Sequence, residues 1–271
     1  IDDDGVACAR SRATFNNSHM SIEWRLAPGA DYVDVHVEAD WHEHEKLLKL
    51  GFPVDIHTAS AQYETQMGYI ERPTHTNTSW DSAKFEVSTH RWVRLENAHI
   101  SWSIANDATY GWDISRHSAG RRGTWSLVRA TLIKSAVYPD PNQDQGTFSW
   151  NFRIRPQASV AQAIADGQQL NLPLREAPVE IQAPFSVDGA IVESVAMAPD
   201  KSGDVVVRLY EGLGSPAHVT LTWPDVQVTA TDLCYRPSED APAVSSDAGK
   251  HSFDLAPFQI ATMRITPAER N

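Results

Sequence analysis

His42 and His44 lie two residues apart, the spacing that turns two imidazoles to one face of an extended strand, as neighbouring zinc ligands require. Asp40 shares that face and Glu38 continues it, so the pattern also describes the solvated side of a half-buried strand. Asp140 and Asp144 sit in a Pro-rich loop with Gln145 and Gly146. A retaining glycosidase uses two carboxylates about 5 Å apart, which a loop could supply; Asp140 between Pro139 and Pro141 equally reads as a turn residue. His75, Asn77, Trp80 and Asp81 follow Arg72-Pro73 as a polar and aromatic cluster. It fits either a sugar or interface site with Trp80 as stacking face, or a long connection pinned by side-chain-to-backbone bonds. Arg116, Arg121 and Arg122 form a basic spot that could hold a phosphorylated sugar or be a solvated loop around Gly120 and Gly123. His36, His57 and Glu64 could supply the acid and base of an aldose epimerase, though no motif surrounds them.

The elements that must position these residues are strands. In Tyr32–Trp41 the residues Val33, Val35, Val37, Ala39 and Trp41 alternate with Asp, His, Glu and Asp, the pattern of a half-buried antiparallel strand. Similar stretches occur at Met20–Leu26, Leu47–Ile56, Phe85–Val93, Ile100–Ile104, Ser126–Ile133, Gly146–Arg155, Val205–Tyr210, Val219–Trp223 and Ile260–Ile265. Val160–Gln169 is the one stretch rich enough in Ala and Gln to predict a helix, ended by Asn171 and Pro173. An all-β sandwich architecture follows, not a doubly wound α/β fold. Pro173, Pro178 and Pro184 mark the best boundary, giving domains 1–178 and 179–271, the second the size of a small β-sandwich. Pro237–Gly249 reads as an exposed loop within it.

A formal charge of −12 and a pI near 5.3 argue against nucleic acid or an anionic membrane as partner, because polyanions are repelled. No run of about 18 apolar residues suggests a membrane span. Cys8 and Cys234 form no ligand set or disulfide framework, and a cytoplasmic setting is expected. The chain opens Ile-Asp-Asp-Asp, with neither initiator Met nor leader, which reads as a piece of a longer polypeptide. No Gly-rich phosphate loop, nucleophile elbow or Cys–His arrangement is present.

Several segments, in order along the chain, resemble the C-terminal β-region of glycoside hydrolase family 38 α-mannosidases of the bacterial and vacuolar type. They are Asp40–Lys49 followed by Phe52-Pro53-Val54, Glu71–Asp81 running into Phe85-Glu86-Val87, Asn106-Asp107 with Tyr110-Gly111, Tyr138-Pro139-Asp140-Pro141 with Asp144-Gln145-Gly146, and Val207–Glu211. The chain departs from the family in the longer, more basic Ser115–Thr124 and in Thr147 and Phe148, near which the family often has His.

The resemblance implies a galactose-mutarotase-like supersandwich followed by a small immunoglobulin-like sandwich. It implies that zinc and the carboxylate nucleophile belong to an upstream catalytic domain of the same polypeptide, acting on an α-mannoside by retention, and that no catalytic residue lies here. Asp140, Asp144, Gln145, His75 and Trp80 are then candidates for contact with substrate or with that domain, and His42 and His44 only weak metal candidates. Two other classes stay open. A free-standing carbohydrate-binding module would show an exposed line or cleft of tryptophans, tested first on Trp102, Trp112 and Trp125; an epimerase would bring a His and a Glu together in a pocket.

Overall fold

The computed structural model describes residues 1–271 except 3, 119–122, 173, 175, 177–178, 180–182 and 269–271. It is all-β, with one helix longer than a single turn among the described residues. Two compact units emerge: Ile1–Thr65 with Ile70–Leu174, and Gln66–Tyr69 with Arg175–Asn271. Residue 178, which closes the first domain of the sequence reading, lies outside the described residues.

The first unit packs an eight-stranded sheet on a four-stranded one. The larger sheet runs β1 (Ala7–Phe15), β2 (Ser18–Leu26), β3 (Val33–Trp41), β12 (Gly146–Pro156), β9 (Ser101–Asn106), β8 (Trp92–Glu96), β5 (Ser60–Thr65), β6 (Gly68–Pro73). The smaller runs β4 (Leu48–Val54), β11 (Thr124–Ile133), β10 (Gly111–Ser118), β7 (Val87–Ser88). Period-two patterning decides what meets between them: Val35, Val37, Ala39 and Trp41 from β3 join Leu50, Phe52 and Val54 from β4, Trp112 from β10 and Val128 from β11 in one core.

The expected strand Phe85–Val93 is instead two, Val87–Ser88 in the smaller sheet and Trp92–Glu96 in the larger. The chain changes sheets between them, where the Thr89 N–H donates to Tyr110 O, the His90 N–H to Glu64 O, and the Thr89 hydroxyl to Trp92 O. Alternation breaks there, since Trp92–Leu95 are all buried and Phe85 is exposed.

Helix α1 (Ser79–Ser82) is a single turn; α2 (Val160–Asn171) is the expected helix, two residues longer at its end. Ser159 and Gln162 close a capping box on it. It lies on β8, β9 and β12, where Gly167 lets the backbone approach: a Cβ there would stand 2.9 Å from that of Arg91. Its Asp166, 1% exposed, accepts from Arg155 through Nε (2.7 Å) and Nη2 (2.8 Å), and Arg153 also reaches it.

The second unit is a four-on-four sandwich. One sheet runs β13 (Ser186–Asp188), β16 (Ala217–Thr222), β19 (Lys250–Leu255), β18 (Ser245–Asp247); the other β14 (Ile191–Met197), β15 (Val205–Tyr210), β20 (Ile260–Pro267), β17 (Val226–Thr231). Val207, Leu209, Met263 and Ile265 pack against Val219, Leu221, Phe253 and Leu255. Within the predicted loop Pro237–Gly249 the exposed edge strand β18 forms. Glu211, 2% exposed, takes the N–H groups of Leu213 (2.6 Å), Gly214 (2.8 Å) and Phe258 (2.9 Å) and so ties two loops together.

Candidate functional site

One end of the first unit brings the loop that carries His42 and His44 beside the loop that carries Asp140, Asp144 and Gln145. The β3–β4 loop (42–47), the β11–β12 loop (134–145) and the β1–β2 turn at Asn16-Asn17 are held together there by hydrogen bonds. The indole N–H of Trp41 donates to the Ser135 hydroxyl at 2.6 Å, and that hydroxyl donates to Lys46 O at 3.2 Å. The Ser135 N–H donates to Asp144 Oδ2 at 3.0 Å, and the Gln145 amide to Glu43 O at 2.9 Å. Glu43, 9% exposed, accepts from the Asn16 amide, the Asn17 N–H and the Ser18 hydroxyl at 2.9, 3.2 and 3.0 Å. The Asn16 hydrogen bond, with those from Ser18 and Asn17, holds the Glu43 carboxyl below the usual Glu range against the opposing effect of burial.

Asp140 and Asp144 are therefore held differently. Asp140 is exposed and accepts from the Asn142 N–H at 2.9 Å, the mark of an Asx turn, whereas Asp144 is half-buried and engaged by Ser135. Beside this cluster an open groove of about 410 Å³ runs between Glu45–Leu47 and Lys134–Tyr138.

His42 and His44 stand beyond the end of β3, in the loop rather than on the strand. Both are exposed, and His42 Nε2 lies 2.9 Å from Asp40 Oδ1. Among the described residues no group of three His, Cys, Asp or Glu side chains converges as a metal site, so these residues do not fit zinc.

The segment at 75–81 is bound locally. Thr78 caps α1, accepting from the Asp81 N–H at 3.1 Å and donating to Asp81 Oδ2 at 2.7 Å, while His75 Nδ1 lies 3.5 Å from the same carboxylate. Hydrogen bonds from Thr78 hold Asp81 below the usual carboxylate range. Trp80 projects from this turn, 81% exposed. Arg116 is no open cation: its guanidinium reaches Thr58 O at 2.6 Å and Thr74 Oγ1 at 2.8 Å, joining two loops. Arg121 and Arg122 lie outside the described residues.

Of the three tryptophans tested for a binding platform, Trp112 is fully buried, Trp102 is half-buried against the core, and Trp125 is half-buried with its ring stacked on His117 at 4.5 Å. They form no exposed row. The Glu64 carboxylate is taken by Arg91 (2.8 Å), while His36 bonds Asn151 (2.8 Å), so the His–Glu pair of an epimerase is not assembled from them. The nearest imidazole to Glu64 is that of His90, at 3.9 Å, beyond hydrogen-bond reach.

Glu43, Ser18 and Ser135 organise this end of the sandwich, yet sequence reasoning passed over them. The only local signal was the Asn16-Asn17-Ser18 turn; Trp41 and Ser135 are 94 residues apart, and no periodicity pairs them.

Comparison with known proteins agrees with this architecture. Residues 4–142 match the model of the glycosyl hydrolases family 38 C-terminal domain, and 189–263 that of the family 38 C-terminal beta sandwich domain. The chain is 33% identical to alpha-mannosidase 2C1 of Homo sapiens over 266 residues, and 29% identical to an alpha-mannosidase of Saccharomyces cerevisiae over 264. These alignments take in 92% and 86% of this chain but 24% of either relative, so the chain spans a quarter or less of their length. In fold it is similar to the crystal structure of an alpha-mannosidase from Enterococcus faecalis V583, with a TM-score of 0.69 at 14% identity, over 91% of this chain and 29% of that one. With both units matched in order by the family's own C-terminal models, the chain belongs to glycoside hydrolase family 38, as its C-terminal β-region.

Proposed function

We propose that this chain is the non-catalytic C-terminal β-segment of a retaining, zinc-dependent α-mannosidase, packing on an upstream catalytic domain and completing its substrate cleft. The observation that carries the reading is the match of both units to family 38 C-terminal models in relatives named alpha-mannosidases, most of whose length lies outside the alignment. Zinc and the nucleophile are assigned to the upstream domain, and the α-mannoside reaches this segment only at its edge, through Asp144, Gln145 or the groove beside them. Asp140, His75 and Trp80 are proposed as further contacts with substrate or with the catalytic domain. The domain boundary is put at 178/179, and the protein in the cytoplasm. Among the described residues no helix is long and apolar enough to cross a membrane.

The test is hydrolysis of an aryl α-mannoside with zinc supplied, by this chain and by the chain joined to the preceding coding region. Turnover by the longer protein alone supports the proposal. Turnover by the short chain sinks it and makes His42, His44, Asp140 and Asp144 the first residues to mutate.

A free-standing carbohydrate-binding module is favoured by one observation, the exposed ring of Trp80. Tight binding of mannosides by this chain alone, lost in Trp80→Ala, would establish it.

A further inference from the structure

At this end of the first unit large apolar side chains stand exposed beside loops whose own polar groups are paired. The side chains of Glu43, Ser135, Gln143, Asp144 and Gln145 turn to backbone and neighbouring polar groups of the two loops and the β1–β2 turn. Among the side chains left outside, which include His42, His44, Asp140 and Asn142, four are large and apolar: Phe15 is 50% exposed, Leu47 51%, Val137 41% and Tyr138 86%. Phe15 stacks on Trp41, centroids 6.4 Å apart, and Trp41 bonds to Ser135 in the second loop, so these side chains belong to one wired end. Leu47, Val137 and Tyr138 line the groove of about 410 Å³, with Lys46 and Lys134 beside them. An apolar aromatic centre with charged residues around it, on loops already fixed, is how a protein interface is built.

We propose that Phe15, Leu47, Val137 and Tyr138 form the surface on which the catalytic domain of the same polypeptide packs, an inference that rests on the function proposed above. The occupant follows from length: the matched relatives carry about three-quarters of their chain outside this region, 24% being covered. Other exposed aromatic side chains of this unit are Phe85, Tyr110, whose ring stacks on His90, and Trp80. Trp80 projects from a four-residue helical turn with no buried residue, tied by bonds within 75–81. Such a support is not held in place by its surroundings.

The experiment uses the full polypeptide, followed by amide hydrogen exchange and thermal unfolding, as wild type, as Leu47→Asp/Tyr138→Asp, as the milder Leu47→Ser/Tyr138→Ser, and as the control Trp80→Asp. Amides of 43–48 and 134–142 should exchange roughly tenfold faster or more in both double variants. The unfolding midpoint should drop by roughly 3 °C or more, with Trp80→Asp near wild type. Exchange unchanged in both double variants, or faster only in the Trp80 variant, overturns the surface. Protection that depends on protein concentration also overturns it, since a second copy is then the occupant. Aryl α-mannoside hydrolysis by the wild-type polypeptide separates the two ideas: with hydrolysis present and exchange in the variants unmoved, the surface fails alone. With hydrolysis absent and exchange released, the surface stands and the enzymatic reading fails.

Discussion

The indole N–H of Trp41 and the hydroxyl of Ser135 meet at 2.6 Å across 94 residues of chain, and both side chains are buried. This bond fastens the end of β3 to the loop after β11. Ser135 also holds Lys46 O and, through its own N–H, Asp144, so one small residue joins two loops.

Ser135→Ala should lower stability by about 1–3 kcal/mol in urea unfolding, because the indole donor loses its buried partner. Ser135 has φ +43°, in the left-handed region. Ser135→Gly removes the same hydroxyl but suits that backbone, so it should cost less than the alanine variant by about 1 kcal/mol. Equal losses would mean that the backbone there is unstrained.

Glu43 gives a pH signature. Its folded pKa is lowered from 4.5, first by the Asn16 amide, so its contribution is complete above the unfolded value and disappears as pH falls through the folded one. Glu43→Gln should therefore be less stable than wild type at pH 6, with the gap closing below pH 4.5 as the wild-type carboxylate protonates. A gap independent of pH would show that the hydrogen bonds matter and the charge does not.

In the second unit Glu211→Ala removes the acceptor of three backbone N–H groups and should cost about 3 kcal/mol or more, while Glu211→Gln, keeping one oxygen, should cost less. Denaturant unfolding with fluorescence and circular dichroism measures both. Identical losses would mean that the side chain acts by filling space.

Asp166→Ala leaves Arg155 and Arg153 without their shared buried carboxylate under α2. A loss of about 3–5 kcal/mol is expected, with amide exchange of α2 rising before that of β3. A variant as stable as wild type would show that Asp31 and Asp34, which also pair with these arginines, are sufficient.

What the sequence determined by itself was the set of faces. Alternation from Val33 to Trp41 places Val35, Val37 and Ala39 inside, and the Val205–Tyr210 strand matches its expected limits, because burial on a pleated sheet has a strict period of two. Family membership was legible too, since its motifs stand on turns and strand ends whose residue types are dictated locally. The tertiary structure alone decided which loops meet. The switch of sheets between Ser88 and Trp92, the burial of Glu43, the closure of Arg116 on Thr58 and Thr74, and the exposure of Leu47 and Tyr138 rest on contacts between residues far apart in the chain. Hydrogen bonds of that kind carry no period, and a polar residue in a loop looks the same in sequence whether it faces water or a backbone N–H.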